Sequence, residues 1–134
     1  METHEPKKIL VVEDNPDWRL TFTGMLFEAH FDATGVETVQ EARKKLSAQE
    51  YALALLDMRL DESDETNVDG LNLAEEIQVQ WPKTKVVIVT GFNTPEILKR
   101  AMEPREGHPK LVANFVPKSE VDELMSIIQK ELIS

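Results

Sequence analysis

Three stretches of this chain are almost wholly apolar and only four or five residues long: 9–12, 52–56 and 86–89. Runs that short, without polar alternation, read as strands buried on both faces, as in a parallel sheet covered by helices. Two of them end on carboxylates. Lys8-Ile9-Leu10-Val11-Val12 runs into Glu13-Asp14, and Tyr51-Ala52-Leu53-Ala54-Leu55-Leu56 runs into Asp57. An acid at the end of a buried strand is costly unless an opposite charge meets it. If the two strands are parallel neighbours, three acids converge on one carboxyl edge, where open α/β sheets bind ligands. A cluster of hard oxygen donors there calls for a divalent cation.

The rest of the chain supplies the elements such a sheet needs. Strand-like runs fall at 8–12, 31–36 (the weakest), 51–56, 85–90 and 111–116, with helical patterns between them. Trp18, Phe22, Met25, Leu26 and Ala29 recur at helical spacing behind Asn15-Pro16, a cap followed by proline at the first helical position. Val39, Ala42 and Leu46 mark a second helix. Leu73, Ala74, Ile77 and Trp81 mark a third, stopped by Pro82, and Trp18 and Trp81 are expected in the core. Ile97, Leu98 and Ala101 mark a short fourth. Val121, Leu124, Ile128 and Leu132 mark a fifth, with Ser119 as its expected cap. Five strands alternating with five helices imply right-handed crossovers and a doubly wound parallel α/β sheet.

The 134 residues suit one domain, residues 1–134, with no room for an effector domain after the fifth helix. With 41% apolar residues and no cysteine, the fold rests on its core, and a reducing cytoplasm is the expected setting. The polar, acidic start Met1-Glu2-Thr3-His4-Glu5 is not a signal peptide, and no apolar run approaches the ~20 residues of a membrane span. The formal net charge of −10 repels phosphate backbones, so no direct nucleic-acid contact is expected. Partners should be proteins, small phosphorylated species and cations.

Two more strand ends carry polar groups. Val86-Val87-Ile88-Val89 ends on Thr90-Gly91, and Val112-Ala113-Asn114-Phe115-Val116 is followed by Pro117-Lys118. The ordered set Glu13/Asp14, Asp57, Thr90 and Lys118 resembles the receiver domain of bacterial response regulators over essentially the whole chain. The resemblance implies a flavodoxin-like fold with strand order 2-1-3-4-5. It also implies roles: Asp57 as phosphoacceptor, and Mg²⁺ held by Asp14, Asp57, Glu13 (directly or through water) and the backbone carbonyl of Arg59. Lys118 and Thr90 would contact the phosphoryl oxygens, and Gly91 would leave room for the donor. Phe115 is either an aromatic switch that turns inward with the threonine or an ordinary core residue. The implied partners are a histidine kinase or phosphotransfer protein, and an unknown output protein on the face of the fourth helix, fifth strand and fifth helix. The chemistry is self-consistent, since one Mg²⁺ and one ammonium balance about three carboxylates, and a carboxylate is a competent nucleophile at phosphorus.

The chain departs from the family in three places. Proline precedes Lys118 instead of following it, so the Lys118–Ser119 bond is expected trans, a cis form costing ~3 kcal/mol more. The loop from Met58 to Asp69 and the segment from Pro104 to Lys110 are both long, and both flank the acid edge. Glu65, Asn67, Asp69, Gly70 and Glu76 imitate a Ca²⁺ loop, but Asn72 stands where an apolar residue is needed, and a solvated acidic loop is the simpler reading. His4, His30 and His108 lack metal spacing and read as surface or loop residues.

Other functions remain open alternatives. A Mg²⁺-dependent phosphohydrolase of the haloacid-dehalogenase type wants a second Asp two residues after the nucleophile, and Arg59 stands there. A receiver-like interaction module that works without phosphorylation normally lacks the acceptor or the acid pair, and both are present.

Overall fold

The computed structural model describes residues 6–57, 69–90, 104–105, 108–110 and 114–133. In chain order it places β1 (Lys8–Val12), α1 (Pro16–Glu28), β2 (Asp32–Val36), α2 (Val39–Ala48) and β3 (Leu53–Asp57). There follow α3 (Asp69–Gln80), β4 (Lys85–Thr90), the short β5 (Pro104–Arg105) and β6 (His108–Lys110), β7 (Asn114–Pro117), a 3₁₀ segment (Lys118–Glu123) and α4 (Leu124–Ile133). The fourth helix expected around Ile97 and Ala101 lies outside the described residues.

The main sheet has the order β2-β1-β3-β4-β7. All four pairings are parallel, so every strand points its carboxyl end to the same edge. Alternate residues of each strand feed two separate cores. Leu10, Val12, Ala54, Leu56, Val86 and Ile88 face α2 and α3, where they meet Ala42, Leu46, Leu73 and Ile77. Ile9, Val11, Leu53, Leu55, Val87 and Val89 face Phe22 and Leu26 of α1 and Leu124 and Ile128 of α4. Burial on both faces is why β1, β3 and β4 carry no polar alternation.

Local chemistry ends the helices where they must end. Asn15 Oδ1 accepts from the amides of Asp17 and Trp18, at 2.9 and 3.1 Å, with Pro16 starting α1. Thr38 and Glu41 cap α2, with the Glu41 amide donating to Thr38 Oγ1 at 3.1 Å. His30, at φ 69°, takes the left-handed turn that closes α1, a position usually given to glycine. Arg43 of α2 and Glu76 of α3 form a two-pronged ion pair at 2.9–3.1 Å, and this bond holds the Arg43 pKa above its ordinary value. Glu76 thus serves a helix–helix contact, while Glu65 and Asn67 of the Ca²⁺-loop imitation lie outside the described residues.

Three expectations need correction. Ser119 is not the cap of an α-helix, because a 3₁₀ run occupies Lys118–Glu123 and α4 begins at Leu124. Part of the segment at 104–110 is not plain loop. Pro104 pairs with Lys110 and Arg105 with His108, folding the segment back as a two-stranded antiparallel ribbon. Trp18 and Trp81 are half-buried at the core margins, since a ring that large keeps one edge in solvent unless it is enclosed on every side. Trp18 stacks on Phe22 with ring centroids 5.4 Å apart.

Candidate functional site

Parallel alignment brings the strand ends together. Val12 stands opposite Leu56, so Glu13 and Asp14 leave β1 beside Asp57, the last residue of β3. Asp57 stands opposite Val89, and Thr90, the last residue of β4, stands opposite Pro117. Lys118 follows at once, joined to Ser119 by a trans peptide.

The three acids form a tight group. One carboxylate oxygen from each of Glu13, Asp14 and Asp57 can be chosen so that all lie within 4.8 Å of one another. Glu13 and Asp57 are buried, at 1% and 4% exposure, while Asp14 is half-buried. Three negative charges this close, in a site this dry, repel strongly unless a cation sits among them. The donor set fits a hard divalent ion. Three hard carboxylate oxygens within 4.8 Å of one another are the donor type such an ion takes.

The turn carrying the acids is held from several sides. The Glu13 amide donates to the Val36 carbonyl of β2 at 3.0 Å. The Glu13 carbonyl accepts from Arg19 Nη1 at 2.8 Å, and Glu13 Oε2 accepts from the Asn15 amide at 3.2 Å. Asn15 in turn caps α1. The acid pair and the helix after it are thus one hydrogen-bonded unit.

Of the residues singled out in the sequence, the structure brings Glu13, Asp14 and Asp57 together through their side chains. It places Thr90, Phe115 and Lys118 by their backbone: Phe115 stands on β7 opposite Ile88, and Thr90 and Lys118 end at the acid edge. Arg59 and Gly91 lie outside the described residues. Arg19 escaped the sequence reading. Its only signal there is a cation five residues after Asp14, on the first turns of α1. A cavity of about 700 Å³ lies at the opposite, amino edge of the sheet, lined by Lys8, Tyr51, Trp81 and Thr84 among others, away from the acids.

A doubly wound parallel sheet with three acids gathered at its carboxyl edge defines an α/β domain whose candidate cation site lies where open sheets of this kind bind ligands. Residues 9–129 match the family model of the response regulator receiver domain, and the chain belongs to that family. Its members are signalling modules of two-component systems. The chain is 31% identical over 97 residues to the response regulator PilR of Pseudomonas aeruginosa, covering 72% of this chain and 21% of PilR. It is 26% identical to the receiver protein CpdR of Brucella abortus, covering 96% of this chain and 98% of CpdR. It therefore spans about a fifth of PilR but nearly the whole of CpdR. Among solved structures, the response regulator TrrA of Thermotoga maritima, in complex with Mg²⁺-BeF, superposes with a TM-score of 0.73 at 28% identity. That match covers 94% of this chain and 99% of TrrA. No helix among the described residues is long and apolar enough to cross a membrane.

Proposed function

We propose that this chain is a phosphoacceptor switch. Asp57 accepts a phosphoryl group from a phosphohistidine on a histidine kinase or phosphotransfer protein, and the product alters the surface offered to an output protein. The observation carrying this reading is the convergence of the Glu13, Asp14 and Asp57 carboxylates within 4.8 Å at the end of β3, in a chain of the receiver family.

Asp14 and Asp57 would hold Mg²⁺, with Glu13 as a direct or water-mediated ligand and the Arg59 carbonyl as a further oxygen. When bound, the ion neutralises charge on the transferring phosphoryl oxygens. An Asp57 oxygen attacks phosphorus in line; the O–P bond forms as the donor's N–P bond breaks, and the electron pair leaves with the imidazole nitrogen. Lys118 would pair with one phosphoryl oxygen and the Thr90 hydroxyl would donate to another, with Gly91 leaving room for the donor. A singly charged acid becomes a group carrying nearly two charges, and that change drives the switch.

Phe115 would respond by turning inward, and the output surface would be the helix expected around Ile97 and Ala101 together with β7 and α4. Residues 1–134 would act as one domain, in the cytoplasm. The net charge of −10 supports a protein partner and no direct nucleic-acid contact. The test is incubation with acetyl phosphate and Mg²⁺. A phosphorylated product labile to hydroxylamine, as an acyl phosphate is, supports the reading. A hydroxylamine-stable product, or rapid turnover of a general phosphomonoester, overturns it.

A further inference from the structure

Arg19 reaches the acid turn through its backbone. Its guanidinium Nη1 donates to the main-chain carbonyl of Glu13 at 2.8 Å and reaches the Asp14 carbonyl at 3.5 Å, the outer limit of a hydrogen bond. Its stem crosses β2 at Gly35. A Cβ built on Gly35 would stand 3.0 Å from Arg19 Cγ, 3.2 Å from Arg19 Cδ and 3.2 Å from Thr23 Cγ2. Glycine at that strand position is thus a passage for the arginine stem. The Glu13 amide is tied to the same strand, by the Val36 carbonyl next to Gly35.

We infer that Arg19 and Gly35 together form a positioning clamp for the metal-binding acids: Gly35 admits the Arg19 stem, and the guanidinium fixes the backbone that aims Glu13 and Asp14. Arg19 is a positioning residue, because it acts through the peptide units of the acid pair. This rests on the metal-site reading above. Metal sites depend on such outer partners, whose removal typically costs tenfold or more in affinity.

The clamp can be told from plain electrostatics by sign. Arg19 carries a positive charge close to the acids, so deleting that charge alone should draw Mg²⁺ in more tightly. Loss of positioning should weaken binding. Arg19→Met keeps a straight stem to lie over Gly35 and removes the donors and the charge together, so the two effects oppose each other and the sign shows which one dominates. Mg²⁺ titration of the purified chain, followed by amide chemical shifts of residues 13, 14 and 57, should give an affinity about tenfold weaker in Arg19→Met. The metal-free form should also show faster amide exchange at Glu13, with the α1 interior unchanged. Arg19→Lys, which keeps a donor on a shorter reach, should fall between the two.

Gly35→Ala should weaken Mg²⁺ in the same direction without touching Arg19 itself. The double variant should be no weaker than Arg19→Met, because both changes release one clamp. Unchanged or tighter Mg²⁺ binding in Arg19→Met, with wild-type binding intact, overturns the clamp alone. Should Arg19→Met fail to fold, Gly35→Ala decides by the same sign. If the wild type shows no Mg²⁺ binding that Asp57→Asn abolishes, the metal-site reading falls and the clamp falls with it.

Discussion

Lys7 Nζ donates to the main-chain carbonyl of Leu132 at 2.6 Å, joining the lead-in to β1 to the last turn of α4 across 125 positions of sequence. Lys85, the first residue of β4, likewise donates to the carbonyl of Glu131. Two ammonium groups thus sit on the carbonyl end of one helix, where the dipole favours cations and the carbonyls lack helical partners. Lys7→Met and Lys85→Met should each cost about 0.5–1 kcal/mol at low salt. Thermal melts at low and high salt check this, since the loss should shrink as salt screens the dipole.

His30 presents a second stability test. It holds φ 69° at the end of α1, a conformation that costs an L side chain roughly 1 kcal/mol or more relative to glycine. Against that stands the extra freedom glycine gives the unfolded chain. His30→Gly should therefore raise stability by about 0.5 kcal/mol in urea unfolding, at unchanged m-value.

The two sides of α1 should respond very unequally to substitution. Phe22 is 1% exposed in the core beside Leu26, whereas Leu20, two residues earlier, is 74% exposed. Phe22→Ala should cost about 3–5 kcal/mol, and Leu20→Ser should stay within about 0.5 kcal/mol. Chemical denaturation of both variants checks the assignment of faces.

Much of this fold is legible in the sequence because burial on both faces leaves an unmistakable pattern. The apolar runs 9–12 and 86–89 fall inside β1 and β4, the run 52–56 leads β3 by one residue, and Asn15-Pro16 marks the start of α1 to the residue. β2 reads weakly because Asp32–Val36 is an edge strand, paired on one side and partly exposed. The ribbon of Pro104–Arg105 and His108–Lys110 escapes because two- and three-residue strands have no periodicity to show. Ser119 misleads because a serine that reads as an α-helix cap can equally lie inside a 3₁₀ run, as it does here in Lys118–Glu123. In the site, Glu13, Asp14 and Asp57 announce themselves as acids at strand ends. Arg19 does not, since its role depends on Gly35 of a neighbouring strand, well downstream in sequence.

Metal addition should stabilise the chain through the same three acids. Mg²⁺ at a hundredfold excess over its Kd should raise unfolding free energy by about 2.7 kcal/mol if it binds only the folded state. Asp14→Ala should lose most of this gain, while its metal-free stability should hold or rise as one of three crowded charges goes. Equal Mg²⁺-induced shifts in melting temperature for wild type and Asp14→Ala would place the ion elsewhere.

The most direct measurement is intact mass after treatment with acetyl phosphate and Mg²⁺, on the wild type and Asp57→Asn side by side. Asp57 is buried at the end of β3 between the Glu13-Asp14 turn and the end of β4, and it is the proposed nucleophile. The side-chain amide that Asp57→Asn introduces neither attacks phosphorus usefully nor balances the charge of the ion. The expected result is one phosphoryl group on the wild type and none on Asp57→Asn. Equal incorporation in both would contradict Asp57 as the acceptor.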